Sequence, residues 1–193
     1  MRAITFDIES VSDSVVRGHL DVSEQELIVV AIHDSLTGDF SSYSREELPR
    51  LWPIIEQTDL LIGFNSDSFD IPLLNRYYPG DLSQLPSLDL LSEVQSALGR
   101  RIRLQSLAEA TLGRGKSGDG MKAGEWWREG KHDKVRAYCI DDVRLTRELY
   151  DYAIQHGKLR YKDLREIRDI KLDTSLWGER QSVVPAMTHA FQI

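Results

Sequence analysis

Residues 5–9 read Thr-Phe-Asp-Ile-Glu, TFDIE, and the alternation around them decides what kind of fold can hold the rest of the chain. Ile4, Phe6 and Ile8 fall on one side of an extended segment, and Ala3, Thr5, Asp7 and Glu9 on the other. A period of two is the mark of a strand. The apolar side of a strand over 3–9 belongs against a core, yet the other side carries two carboxylates. Taken alone, that side suits solvent at a sheet edge. It equally suits a pair of acidic ligands fixed to a rigid support.

Working outward, LIVVAIH at 27–33 is a second strand, apolar enough to lie near the middle of a sheet. A Gly-containing turn leads to a third strand around 39–43. Ser44 and Glu47 form a capping-box pattern opening a helix over 46–58, with Pro49 and Pro53 disturbing its regularity. LLIGFN at 60–65 is a short strand, SFDIPLLNRYY starts a short helix, and LDLL at 88–91 reads as an edge strand. Helices follow over 93–98 and 104–112. The clearest runs from 132 to 156, where Val135, Tyr138, Asp142, Leu145 and Leu149 repeat at helical spacing. Strands gathered early and helices late predict an α/β fold, a central mixed sheet flanked by helices. Residues 1–157 form the expected globular domain. Residues 158–193 are charged and only roughly alternating, a C-terminal extension whose fold the pattern does not fix.

With 193 residues, 41% of them hydrophobic and 28% charged, the chain can bury a substantial core. A single cysteine, Cys139, excludes an internal disulfide and a cysteine metal cluster, and a cytoplasmic setting is expected. The N-terminus does not read as a signal peptide, and no run approaches the roughly 18 apolar residues of a membrane span. A net charge of −7 argues against a broadly basic nucleic-acid coat but leaves room for a local groove. Arg100, Arg101, Arg103, Arg114 and Lys116, with Arg128, Lys131, Lys134 and Arg136, could build one; they could equally be solvated faces.

Two later patches change the weight of Asp7 and Glu9. In GFNSDSFDIP, residues 63–72, Asp70 arrives at a helix start beside Phe69, Ile71 and Pro72. A first-turn acid has an ordinary structural use at the helix N-terminus. Asp67 competes locally, but it lies between serines, whereas the apolar neighbours of Asp70 can anchor it against the sheet. In YCIDDVRLT, residues 138–146, Tyr138 and Asp142 are four apart and share one helix side, with Asp141 a step away. Four clustered carboxylates repel one another unless cations compensate them. Mg²⁺ or Mn²⁺ suits such hard oxygen ligands, and no Cys/His set suggests zinc. Two such ions can activate water, hold a phosphodiester and neutralise its leaving oxygen.

In their order and spacing, TFDIE, GFNSDSFDIP and YCIDD resemble the three exonuclease motifs of the DEDD superfamily, which has a ribonuclease-H-like fold. The tyrosine four residues before the last acid is similar to the DEDDy branch, found in proofreading domains of family-B DNA polymerases and in stand-alone relatives. The resemblance spans residues 3 to about 155. It implies that Asp7, Glu9, Asp70 and Asp142 bind two divalent ions, and that Tyr138 orients or helps deprotonate the attacking water. It implies release of nucleoside 5′-monophosphates from 3′ ends. It also implies that residues after Glu9, with Asn65 and Phe69, touch the terminal nucleotide; Phe69 has an equally good core role. The implied partners are single-stranded DNA or frayed 3′ ends, with RNA less favoured, and a polymerase, helicase or repair protein in trans.

Other signals are weaker. GKS at 115–117 lacks the first glycine of a phosphate-binding loop, since Ala110 stands there and a helix precedes it. The glycines of 113–120 suit phosphate or a plain turn. One of Trp126 and Trp127 belongs in the core, although either could stack on a base. The five histidines are too dispersed for a metal set. Two alternatives stand beside the exonuclease: a structure-selective endonuclease with the same metal centre, and a non-catalytic nucleic-acid or protein-binding domain.

Overall fold

The computed structural model describes residues 1–12, 21–115 and 122–177. Lys116 of the basic groove, Ser117 of the GKS stretch, His19, His189 and residues 178–193 of the extension lie outside the described residues.

The opening strand, β1 (Ala3–Ser12), is the middle of a five-stranded sheet. On one side it pairs antiparallel with β2 (Gln25–Asp34), which pairs antiparallel with β3 (Phe40–Ser44). On the other side lie β4 (Leu60–Gly63) and β5 (Ser87–Asp89), parallel to β1 and β4 respectively. The sheet is therefore mixed, as the pattern of early strands and late helices predicts. Its order is β3-β2-β1-β4-β5. Between Glu9 and Ser10 the β1–β2 register shifts by one, because β2 carries an extra residue at Ile28. Ile28 and Val29 consequently enter the same core cluster instead of alternating. Such bulges bend a strand and re-aim side chains.

One face of the sheet is largely apolar. Ile4, Phe6 and Ile8 pack with Leu51 and Ile55 of α1 (Leu48–Ile55) and with Ile71, Leu73 and Leu74 of α2 (Asp70–Asn75). A turn of 3₁₀ helix over Arg45–Glu47 opens α1, and the Ser44 N–H donates to Glu47 Oε2 at 2.8 Å, completing the capping box. The helix ends at Ile55, short of the expected 58.

The other face meets α4 (Leu104–Leu112) and the long α6 (His132–His156), with α5 (Ala123–Arg128) beside β1. Leu90 and Leu91, read from sequence as strand, instead begin α3 (Leu90–Leu98). The reason is local: Asp89 accepts the Leu91 N–H at 2.9 Å and caps a helix there.

Part of the extension has a definite form. β6 (Lys158–Asp163) and β7 (Glu166–Lys171) make an antiparallel hairpin. Leu159, Tyr161, Ile170, Leu172 and Trp177 enter the cluster that holds Leu107, Leu149 and Tyr150. Among the described residues, no helix is long and apolar enough to cross a membrane.

Candidate metal centre

Alternation on β1 turns Asp7 and Glu9 toward α5 and α6, while Ile4, Phe6 and Ile8 hold the back of the strand in the core. One carboxylate oxygen from each acid and the Cys139 Sγ all lie within 4.8 Å of one another. The fully buried Cys139 sits on α6 between Tyr138 and Asp142, and its Sγ–H donates to the Asp7 carbonyl oxygen at 3.3 Å. Asp7 Oδ2 lies 3.7 Å away. Burial, and then the charges of Asp7, Glu9 and Asp142, push this thiol well above its ordinary pKa. Cys139 is thus a neutral donor, and a thiolate there would add one more negative charge to a crowd of carboxylates.

Asp70 is the first residue of α2, the position of an ordinary dipole-compensating acid, but its carboxylate also reaches off the helix. It is 5% exposed, and Oδ1 accepts the Ile8 N–H at 3.1 Å. That bond holds Asp70 against the stretch of β1 flanked by Asp7 and Glu9. Burial pushes its pKa up to about 7; the charges of Asp89 and Asp142 add to the rise, and the Ile8 N–H opposes it. Asp142 is buried on α6, and Tyr138, one helical turn earlier, is buried with its ring edge-on to Trp126 at 6.0 Å. The charge of Asp142 is felt by both Asp70 and Cys139. Asp7, Glu9, Asp70 and Asp142 therefore occupy one region, where β1, α2 and α6 meet. Asp67, the local competitor, is exposed and accepts the Ser87 hydroxyl at 2.7 Å.

This donor set suits a hard divalent cation. Two carboxylate oxygens, of Asp7 and Glu9, converge with no histidine in the group, Asp70 and Asp142 stand outside that group, and its one sulfur is protonated. Beside it lies a cleft of about 450 Å³ lined by Glu9, Ser10, Phe69, Gly124 and Arg128, among others. Phe69 packs against the cluster of Ile4, Phe6 and Ile8 and also lines this cleft. Trp126 and Trp127 are half-buried; Lys134 Nζ stands 3.9 Å from the Trp126 ring centroid, and Trp127 stacks on His132.

Sequence reasoning missed Asp89. This buried carboxylate accepts from the backbone N–H groups of Asn65 (2.7 Å), Asp67 (3.3 Å) and Leu91 (2.9 Å). It ties the turn between β4 and α2 to the start of α3. Asn65 in that turn has φ 68°, a left-handed conformation that asparagine tolerates better than most residues. Gly63 ends β4 under the same turn, where a Cβ would come within 2.3 Å of Ser66 Cβ. An acid directly before an apolar helical run was the available signal for Asp89.

The fold is similar to that of a family B DNA polymerase from the hyperthermophilic archaeon Pyrobaculum calidifontis, with a TM-score of 0.62 at 20% identity. The match covers 79% of this chain and 24% of the polymerase, so the chain spans about a quarter of that protein. None of the curated proteins matches it in sequence. Residues 4–154 match the family model of the RNase_H superfamily, and that span takes in α2 and most of β1 and α6, with all four carboxylates: the chain belongs to the RNase_H superfamily.

Proposed function

We propose that this protein is a metal-dependent 3′–5′ exonuclease of the DEDDy type. The observation that carries the reading is the bond from the Ile8 N–H to Asp70, which brings the acid of α2 onto the strand bearing Asp7 and Glu9, within electrostatic reach of Asp142. Asp7, Glu9, Asp70 and Asp142 would hold two ions, Mg²⁺ or Mn²⁺. Such ions supply Lewis acidity for a phosphodiester and lower the pKa of water. The Tyr138 hydroxyl orients the attacking water, and the cleft by Glu9 and Phe69 receives the terminal nucleotide, with Asn65 at the turn above it. Zinc is disfavoured, because the Cys139 sulfur is a protonated donor to Asp7.

DNA is preferred over RNA as substrate, in single strands or frayed 3′ ends, because the fold is shared with a DNA polymerase. A polymerase, helicase or repair protein in trans would bring such ends to the site, in the cytoplasm. The chemistry lies within residues 1–157.

The test is digestion of 3′-labelled and 5′-labelled strands, single and duplex, DNA and RNA, with Mg²⁺ or Mn²⁺. Stepwise loss from the 3′ end is expected. Cutting of a circular strand would instead establish an endonuclease at the same centre. Asp7→Ala should slow digestion by about 100-fold or more, since loss of even an outer-shell partner costs roughly 10- to 100-fold. Unchanged activity in that variant would refute the assignment. Tyr138→Phe should lower kcat by roughly 10- to 100-fold with metal affinity retained; a lost metal affinity with normal chemistry would contradict the role of its hydroxyl.

A further inference from the structure

Two arginines, Arg100 and Arg101, follow α3, and they do different things. Arg100 lies over the Tyr161 ring, 5.1 Å from its centroid, and pairs with Asp163 at 3.7 Å, so it fastens the hairpin. Arg101 turns the other way. Its Nη2 donates to Asn65 Oδ1, the side chain of the left-handed residue in the turn that leads to Phe69 and Asp70. That turn is itself anchored through the Asn65 N–H to the buried Asp89. Among the described residues, no carboxylate pairs with Arg101, and its guanidinium is exposed.

A neutral amide oxygen is an unusual holder for an arginine beside so acidic a site. It fixes the direction of the guanidinium without cancelling its charge. A guanidinium has five N–H donors in a planar fork suited to phosphate oxygens, and one bond to an amide leaves others available. The interior of the site is acidic, with Asp7, Glu9 and Asp142 around Cys139 and Asp70 near Asp89 and Asp142, so a polyanion entering it is favoured by a cation at the rim.

We infer that Arg101 binds a backbone phosphate of the single-stranded nucleic acid entering the site, and that Asn65 acts through Arg101 as a positioning residue instead of contacting the terminal nucleotide itself. This deepens the exonuclease reading and rests on it for the ligand.

The experiment measures anisotropy of a fluorescent single-stranded DNA oligonucleotide, with Ca²⁺ in place of the catalytic ion, across a range of salt. Asn65→Gly is the variant of choice, because glycine keeps the left-handed backbone while removing the side chain. Arg101→Ala is expected to weaken binding about tenfold and to reduce the slope of log K against log salt by about one. Arg101→Lys should keep the slope and recover only part of the affinity. Asn65→Gly should weaken binding with the slope unchanged, and the double variant should be no weaker than Arg101→Ala. Unaltered affinity and slope in Arg101→Ala would overturn the inference, as would multiplicative losses in the double variant. A wild-type protein that binds the strand but does not digest it with Mg²⁺ or Mn²⁺ would sink the nuclease reading alone, leaving the affinities to decide on Arg101. A wild-type protein that does not bind the strand would overturn the inference outright.

Discussion

Burial and the charges of Asp89 and Asp142 keep the Asp70 carboxyl protonated up to about pH 7, whereas an aspartate in an unfolded chain releases its proton near 3.8. Between those values the folded state holds a proton that the unfolded state has lost, so this group makes stability fall as pH rises through the window. The metal-free protein should therefore melt at lower temperature at about pH 8 than at about pH 5.5 from this contribution. A divalent ion needs the carboxylate form, so Mn²⁺ should raise the melting temperature more at the higher pH. Asp70→Asn should flatten the pH dependence and abolish the Mn²⁺ effect. Calorimetry with and without the ion checks both, and an equal Mn²⁺ effect in the variant would remove Asp70 from the ligand set. Cys139 belongs to the same scale. Protonated and buried against Asp7, it should resist thiol reagents in the native state and react on unfolding. The alternation of TFDIE and the Tyr138–Asp142 spacing made Asp7, Glu9 and Asp142 legible as one-sided pairs. What no spacing could convey was the hydrogen bond that turns Asp70 from its own helix toward Ile8.

At the level of elements, the long periodic helix and the short strand at 60–63 were legible, and the end of LDLL at Leu90 and Leu91 was not. The helix over 132–156 was legible because 25 residues repeat one pattern. LDLL was ambiguous because four apolar or capping residues satisfy both a strand and a helix start, and the side-chain cap from Asp89 settles it in the folded chain. The same carboxylate takes three amides from two segments, the turn after β4 and the start of α3, so its loss should be felt in both. Asp89→Ala is expected to cost about 2–4 kcal/mol, the sum of a lost N-cap and unsatisfied turn amides. Denaturant unfolding would measure it; a cost below about 0.5 kcal/mol, the size of an ordinary surface change, would show that the turn is held by other contacts. Gly63→Ala acts on the same turn from beneath. The 2.3 Å approach of a Cβ to Ser66 Cβ forces the turn to move, at about 1–3 kcal/mol. A crystal structure of that variant with Asn65 unmoved would contradict this account.

For the molecule as a whole, the hairpin of β6 and β7 belongs to the same packing as the sheet. Its inward residues, Leu159, Tyr161 and Ile170, with Leu172 just after it, are separated by charged residues, which is why the segment reads from sequence as a loose extension. Trp177 closes the cluster, 1% exposed and stacked 5.8 Å from the Tyr150 ring centroid. Trp177→Ala should destabilise the protein by about 3–5 kcal/mol. Ending the chain after Gly157 should lower stability further, because it uncovers α4 and α6 together; a truncated chain as stable as the whole would show that the hairpin only rests on the surface. One feature of the sheet reaches beyond stability. Pairing between β1 and β4 stops at Thr5, so past that point the margin of the central strand is covered by a side chain, with Asp70 taking the Ile8 amide. The exchange rate and nitrogen-15 shift of that single amide should therefore track the charge of Asp70, making Ile8 a built-in spectroscopic gauge of whether the site is protonated, ionised or filled.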